Sequence, residues 1–201
     1  VIDTLNNLVA SGDQIQAIYA VLSGSLNFIF NNYKGDDKFA NIVKQAQLEG
    51  YTEPDPRIDL SGVDVARKLL ILARESGVSI DMEDIENTSF LPNGAIEADS
   101  VKEFYTFIES QESVFKAIYE DAKNNNAQLK YVAEFKDGVA KVGLQFIKEG
   151  HPFFNLEGKD NIVMFYTNRY KQQPLIVKGA GAGAEVTASG LFGDIIRAST
   201  I

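Results

Sequence analysis

Residues 53–68 read EPDPRIDLSGVDVARK and bring acids and a lysine close together in the chain. Pro54 and Pro56 favour extended backbone for the stretch bearing Glu53, Asp55 and Asp59. A helix is then expected to carry Asp64 and Lys68, which stand at i and i+4 on one face. Val63, Val65, Ala66, Leu69, Leu70 and Ala73 cover the rest of its circumference. Several carboxylates beside one amine suit a substrate that carries an ammonium group and an oxygen undergoing proton transfer. Burial of such an amine would lower its proton affinity and tune it for acid–base work. The same residues also fit a solvated helix face, with an Asp–Lys pair worth about 0.3–0.5 kcal/mol and a capping box between Ser61 and Asp64. Both accounts stay open on spacing alone.

A second candidate is the glycine run GAGAGA at residues 179–184. Gly179, Gly181 and Ala184 formally satisfy the G-x-G-x-x-A variant of the dinucleotide fingerprint. No second strand follows within the sequence, and no acidic residue about 20 positions on could take a ribose hydroxyl. A tight strand-to-helix turn that uses small residues for close packing explains the run equally well. His151, before a proline in EGHPFFN, reads as a turn or surface residue. The aromatic stretches at 104–107 and 165–170 read as core or interface, since nothing basic interleaves them.

The elements that must position these groups follow from periodicity. A short helix at residues 1–12 ends at Gly12, and the alternating run at residues 14–22 reads as a strand. After the turn SGS, helices are expected at residues 26–34 and 37–50, the latter closed by Gly50. The segment from Asp59 to Gly77 is the strongest helix signal, and two more helices should start at Ser100 and Ser113, the first with Ser100 and Glu103 as a capping box. The character then turns to strands. LKYVAEFK and VAKVGLQFIK flank Asp137-Gly138, a type I′ hairpin signal. NIVMFYT and PLIVKG add two strands, and a last helix runs from Ala184 to the end. Helices and strands in separate blocks imply a single α+β domain, with a mixed or antiparallel sheet covered by helices.

Composition narrows the partners. The 201 residues are 45% hydrophobic and 23% charged, and the net charge is −9. With no basic stripe, nucleic acid is not an expected partner. No apolar run approaches the roughly 18 residues of a membrane span, and the opening residues lack the regions of a signal peptide. Without cysteine, and with one histidine, neither a disulfide framework nor a thiolate metal site is available, and a reducing, cytoplasmic setting fits.

Residues 46–68, AQLEGYTEPDPRIDLSGVDVARK, resemble the signature of homoserine dehydrogenases. Ala46, Gly50, Tyr51, Thr52, Asp55, Pro56, Asp59, Leu60, Gly62, Asp64 and Lys68 stand in the family's spacing. SGSLNFIF at residues 23–30 is similar to the family's glycine turn before a helix, and residues 179–190, GAGAGAEVTASG, resemble its C-terminal glycine motif. The three motifs keep the family's order along nearly the whole chain. The chain departs from the family at Ile58, where relatives commonly carry a second acid.

The resemblance implies an oxidoreductase of the aspartate pathway towards threonine and methionine, interconverting L-homoserine and L-aspartate 4-semialdehyde with NAD or NADP. Lys68 would protonate the aldehyde oxygen as hydride arrives, or take the alcohol proton in reverse. Asp64 and Glu53 would hold the amino-acid end, with Asp59, Tyr51, Thr52 and Gly24 completing the substrate site. Gly183, with Gly181 beside it, would contact the cofactor, and no metal is expected. The helix at residues 184–200 would pack on a nucleotide-binding domain that the sequence does not contain. That domain would bring the dinucleotide fingerprint, a second active-site lysine and a monovalent-cation loop, so this chain alone is expected to lack measurable dehydrogenase activity. Residues 1–201 would then be the catalytic and dimerisation portion of a homodimer, from an enzyme that can be fused to aspartokinase. Two alternatives need no chemistry: an oligomerisation module, or a domain that only binds an amino acid.

Overall fold

A computed structural model describes residues 1–199. Among the described residues eight α-helices and six strands follow one another as α1 (Ile2–Ala10), β1 (Ile15–Val21), α2 (Gly24–Asn32), α3 (Phe39–Leu48), α4 (Arg57–Leu60), α5 (Val63–Glu75), β2 (Ile85–Thr88), α6 (Val101–Ser110), α7 (Glu112–Asn124), β3 (Ala127–Lys136), β4 (Val139–Lys148), β5 (Asn161–Thr167), β6 (Leu175–Gly179) and α8 (Ala184–Ser199). The strands form one sheet in the order β2-β4-β3-β1-β5-β6. Every pairing is antiparallel except β2 against β4, so the sheet is mixed, as the α+β reading allows.

Alternation within the strands builds two cores. Ile18, Ala20, Leu129, Tyr131, Ala133 and Phe135 face the helices. Val21, Val132, Ile162 and Met164 face the other way, beneath Phe153 and Leu156 of the β4–β5 connection. The central strand β1 is thus buried on both faces. Helix α5 presents Val65, Ala66, Leu69, Leu72 and Ala73 to the sheet, a stripe at helical spacing that turns Lys68 to its rim. In the helical layer Phe39 stacks on Phe115 at 4.0 Å.

Turn chemistry agrees with the sequence where glycine is required. Asp137 and Gly138 both have positive φ (51° and 79°), which a type I′ hairpin needs. Helix α3 closes in a Schellman motif: Tyr51 N donates to Ala46 O and Gly50 N to Gln47 O, with Gly50 left-handed.

Several expectations need correction. The capping box at Ser61 and Asp64 does not form. Gly62 is the N-cap of α5 in the left-handed region with no side-chain cap, because residues 57–60 already coil into α4 and the left-handed Gly62 separates the two helices. Asp59 therefore stands on a helical turn rather than an extended stretch. Of the box expected at Ser100, the half in which Ser100 accepts from Glu103 N is present. Strand β2 has no counterpart in the sequence reading: four residues with a single buried side chain, Ile85, carry no alternation to detect. Helix α2 begins at Gly24 rather than beyond the SGS turn, since Ser23 caps it through Leu26 N. The expected end of the last helix, at residue 200, lies outside the described residues.

Candidate active site

Strand β1 ends at Val21, and its pairing with β3 covers only residues 133–136 of the latter. Beyond that point α2 continues the chain alongside β3, and a cleft of ≈ 230 Å³ opens at the start of α2. It is smaller than the about 300–1,000 Å³ typical of drug-sized ligands, so it suits a small metabolite. Four segments wall it: residues 23–25 entering α2, Gly50 and Tyr51 after α3, the α4–α5 segment, and residues 180–183 after β6, with Lys159 and Asn161 between.

Lys68 enters from α5. Its Nζ lies 2.8 Å from Asp64 Oδ2 and donates to Leu22 O at 3.0 Å, with 43% of the side chain exposed. An ammonium has three protons. Two are engaged by these partners, which leaves one for a group in the cleft. The Asp64–Lys68 pair at i and i+4 is thus formed, and it lies both at the surface and on the wall of a cleft.

Asp59 is fixed from two sides. Ser25 Oγ donates to its Oδ1 at 2.9 Å and Glu53 N to its Oδ2 at 2.9 Å. Because Ser25 gives its proton to Asp59, the 2.9 Å contact between the two serines must be donated by Ser23, whose oxygen meanwhile accepts from Leu26 N. The N-cap of α2, the turn at Glu53 and α4 are therefore one hydrogen-bonded unit.

Of the residues expected at a substrate site, Gly24, Tyr51, Asp59, Asp64 and Lys68 line this cleft together, and Gly181 and Gly183 line its far wall. Glu53 and Thr52 do not line it. Glu53 contributes its backbone N–H to Asp59, and Thr52 Oγ1 donates to Glu53 O at 3.0 Å. Asp55 is also elsewhere, since Arg57 Nη2 holds it at 2.5 Å and lowers its pKa, and Arg57 reaches on to Ala98 O. His151 lies in a turn: its Nδ1 accepts from Phe153 N at 3.1 Å, and burial lowers its pKa.

Several glycines are sterically obligatory. A Cβ on Gly62 (φ +72°) would lie 2.0 Å from Tyr131 Oη, so the start of α5, and with it Asp64 and Lys68, is set by direct contact with the sheet. A Cβ on Gly181 would lie 2.0 Å from Asn161 Nδ2, and Gly183 has φ +124° with nothing nearby. Residues 180–183 consequently offer a wall nearly free of side chains, which a flat ring can approach. Beside it, Asn161 donates to Leu22 O at 3.2 Å while its Oδ1 is buried without a partner. A buried unpaired acceptor is costly, and a ligand N–H would satisfy it.

Ser23, Ser25, Lys159 and Asn161 were not foreseen as site residues. A helix-capping signal at Ser23 was available, because serine before a helix caps it. Lys159 and Asn161 had no local signal, since only sheet pairing brings the start of β5 beside the end of β1.

The family model described as homoserine dehydrogenase matches residues 1–196. A maize (Zea mays) chloroplastic bifunctional aspartokinase/homoserine dehydrogenase is 46% identical over 100% of this chain, which spans 22% of that protein. A Candida auris protein described as of unknown function superposes with TM-score 0.91 at 38% identity, covering 98% of this chain and 57% of its own. A hyperthermophilic archaeal homoserine dehydrogenase in complex with NADPH superposes with TM-score 0.70 at 26% identity, covering 100% of this chain and 52% of that one. The chain thus spans about a fifth of the bifunctional relative and about half of the two solved structures. Among the described residues no helix is long and apolar enough to cross a membrane.

Proposed function

The chain belongs to the homoserine dehydrogenase family of oxidoreductases, and from that premise we propose that it forms the substrate half of a site interconverting L-homoserine and L-aspartate 4-semialdehyde. The observation that carries this reading is the cleft itself, which gathers Asp59, Asp64 and Lys68 opposite the side-chain-free wall at Gly181 and Gly183. NAD or NADP supplies or accepts the hydride when bound. Lys68 then gives its uncommitted proton to the aldehyde oxygen as the carbonyl carbon receives hydride, and the alcohol forms with Lys68 left neutral. In the oxidising direction neutral Lys68 takes the hydroxyl proton. Asp64 holds Lys68 in place and, with Asp59, presents negative charge to the substrate ammonium. Glu53 and Thr52 stand at the rim and bear on the substrate through the Asp59 turn. On the cofactor side, Asn161 Oδ1 suits a carboxamide N–H.

Asn161 and the wall at residues 180–183 fit the reactive end of such a cofactor. The remainder is assigned to parts of the full-length protein outside this chain, consistent with the greater length of its relatives, and the chain alone is expected to be inactive. Helix α8 supports this, because Val186, Leu191, Phe192 and Ile195 are all exposed on it and want a covering domain. We also assign the chain to a homodimer. Val139 of β4 is exposed on the sheet face away from the helices, where a two-fold contact would cover it. The lack of cysteine fits a reducing, cytoplasmic compartment.

The test is direct. The full-length protein should reduce NAD or NADP in the presence of L-homoserine and not in the presence of L-serine, which lacks one methylene. Absence of homoserine-dependent reduction with both cofactors would remove the reading. Mass in solution tests the dimer, and a strict monomer at high concentration would count against it.

A further inference from the structure

We infer that Lys159 receives the carboxylate of the amino-acid substrate, an assignment that rests on the reading of the cleft given above. An amino acid brings one charge of each sign, and the cleft's acids answer only the ammonium. Of its two lysines, Lys68 is engaged by Asp64 and Leu22 O. Lys159 has no carboxylate within ion-pair distance among the described residues. Its Nζ lies 4.7 Å from the centroid of the Tyr51 ring, where the π face attracts the cation but accepts no strong hydrogen bond. The ammonium therefore keeps its donors for something else in the cleft.

The backbone that presents Lys159 is held far more firmly than a surface lysine needs. Lys130, buried at 1% exposure, donates to Asn27 Oδ1 (3.0 Å), Asn31 Oδ1 (2.6 Å) and Leu156 O (2.5 Å). Both asparagines are thereby oriented so that their amide nitrogens face the loop at residues 156–160. Asn27 Nδ2 donates to Gly158 O (3.1 Å) and Asp160 O (3.2 Å), and Asn31 Nδ2 to Leu156 O (3.0 Å) and Gly158 O (3.1 Å). Gly24 closes the arrangement, since a Cβ there would lie 2.9 Å from Lys159 O. Tyr51 is equally fixed, by the Schellman end of α3 and by Phe28 at 4.8 Å between ring centroids. Loop and ring together hold one cation at the cleft wall.

The test compares the full-length protein with its Lys159→Met and Lys159→Arg variants in steady-state oxidation of L-homoserine and L-homoserinamide. Methionine keeps an apolar stem over Tyr51 without the charge. Loss of a charge-assisted hydrogen bond should raise KM for L-homoserine roughly tenfold or more in Lys159→Met. The kcat should stay within about threefold, KM for the nicotinamide cofactor should not move, and Lys159→Arg should recover most of the loss. The preference for the acid over the amide should fall by the same factor. An unchanged KM for L-homoserine, an unchanged acid-to-amide preference, or a rise in cofactor KM instead would overturn the assignment. If the unsubstituted protein oxidises no homoserine, the reading of the cleft fails and takes this inference with it. That result is distinct from failure of Lys159 alone.

Discussion

Lys68 and Lys130 both belong to the neighbourhood of α2, and they are held in opposite ways. Lys68 is 43% exposed, stands beside a carboxylate, and keeps one proton uncommitted. Lys130 is buried at 1% exposure, has no carboxylate partner, and spends three hydrogen bonds on two amides and a carbonyl. A group that moves protons must stay reachable and incompletely satisfied, whereas a group that fixes a loop must be saturated. The loop at residues 156–160, which carries Lys159, has no strand ladder of its own and is held instead by Lys130 and the two asparagines.

The largest expected effect breaks the link between the sheet and the reachable lysine. Gly62→Ala adds a left-handed alanine and a Cβ 2.0 Å from Tyr131 Oη, which should cost about 3 kcal/mol of stability by chemical denaturation. It should also lower activity by displacing the start of α5. Next comes the saturated lysine. Lys130→Met leaves Asn27 Oδ1, Asn31 Oδ1 and Leu156 O short of a donor, at a cost of about 2 kcal/mol near neutral pH.

This second difference should depend on pH. Burial, with repulsion from Lys34, pushes the Lys130 ammonium down to about 8. Below that pH both folded and unfolded chains hold the proton, and the fold bears the whole cost of burying it. Between about 8 and 10 the folded chain releases a proton that the unfolded chain retains, so stability rises with pH. The unsubstituted protein should therefore gain about 2 kcal/mol relative to Lys130→Met between pH 7.5 and 10, in denaturant midpoints corrected for slope. A parallel pair of pH curves would contradict a buried, charged Lys130.

Smaller effects sharpen the contrast on the exposed side. Asp59→Asn mismatches one of its two donors, Ser25 Oγ or Glu53 N, and should cost about 1 kcal/mol while raising KM for L-homoserine several-fold. Smallest is Asp64→Ala. The pair it breaks is exposed, so stability should change by less than about 0.5 kcal/mol, although catalysis should suffer because Lys68 loses its anchor. A large loss of stability here would mean that the pair is structural.

Much of this arrangement was legible in the sequence because it is local. The helix carrying Asp64 and Lys68, the Gly50 and Gly77 helix ends, and the Asp137-Gly138 hairpin depend on residues a few positions apart. The α+β class followed from the separated blocks of helix and strand, which left the sheet as mixed or antiparallel; the parallel pair that makes it mixed involves β2, which carried no sequence signal. What could not be read depends on distant pairing. Lys130 looks like an ordinary strand lysine until α2 is laid beside β3, and Lys159 looks like a surface charge until β5 pairs with β1. The Ser61 cap was misread for a related reason: Gly62, whose left-handed turn is fixed by Tyr131 far away in the chain, took over the helix start. Glu53 was assigned by resemblance, and only its backbone reaches Asp59.

The proposed chemistry depends most on Lys68 moving the proton. Steady-state oxidation of L-homoserine by the full-length protein and its Lys68→Ala variant tests it most directly. The variant should lose about a hundredfold or more in kcat, with KM for homoserine and cofactor within about tenfold and an unchanged thermal midpoint. A variant that turns over at the original rate would contradict the claim.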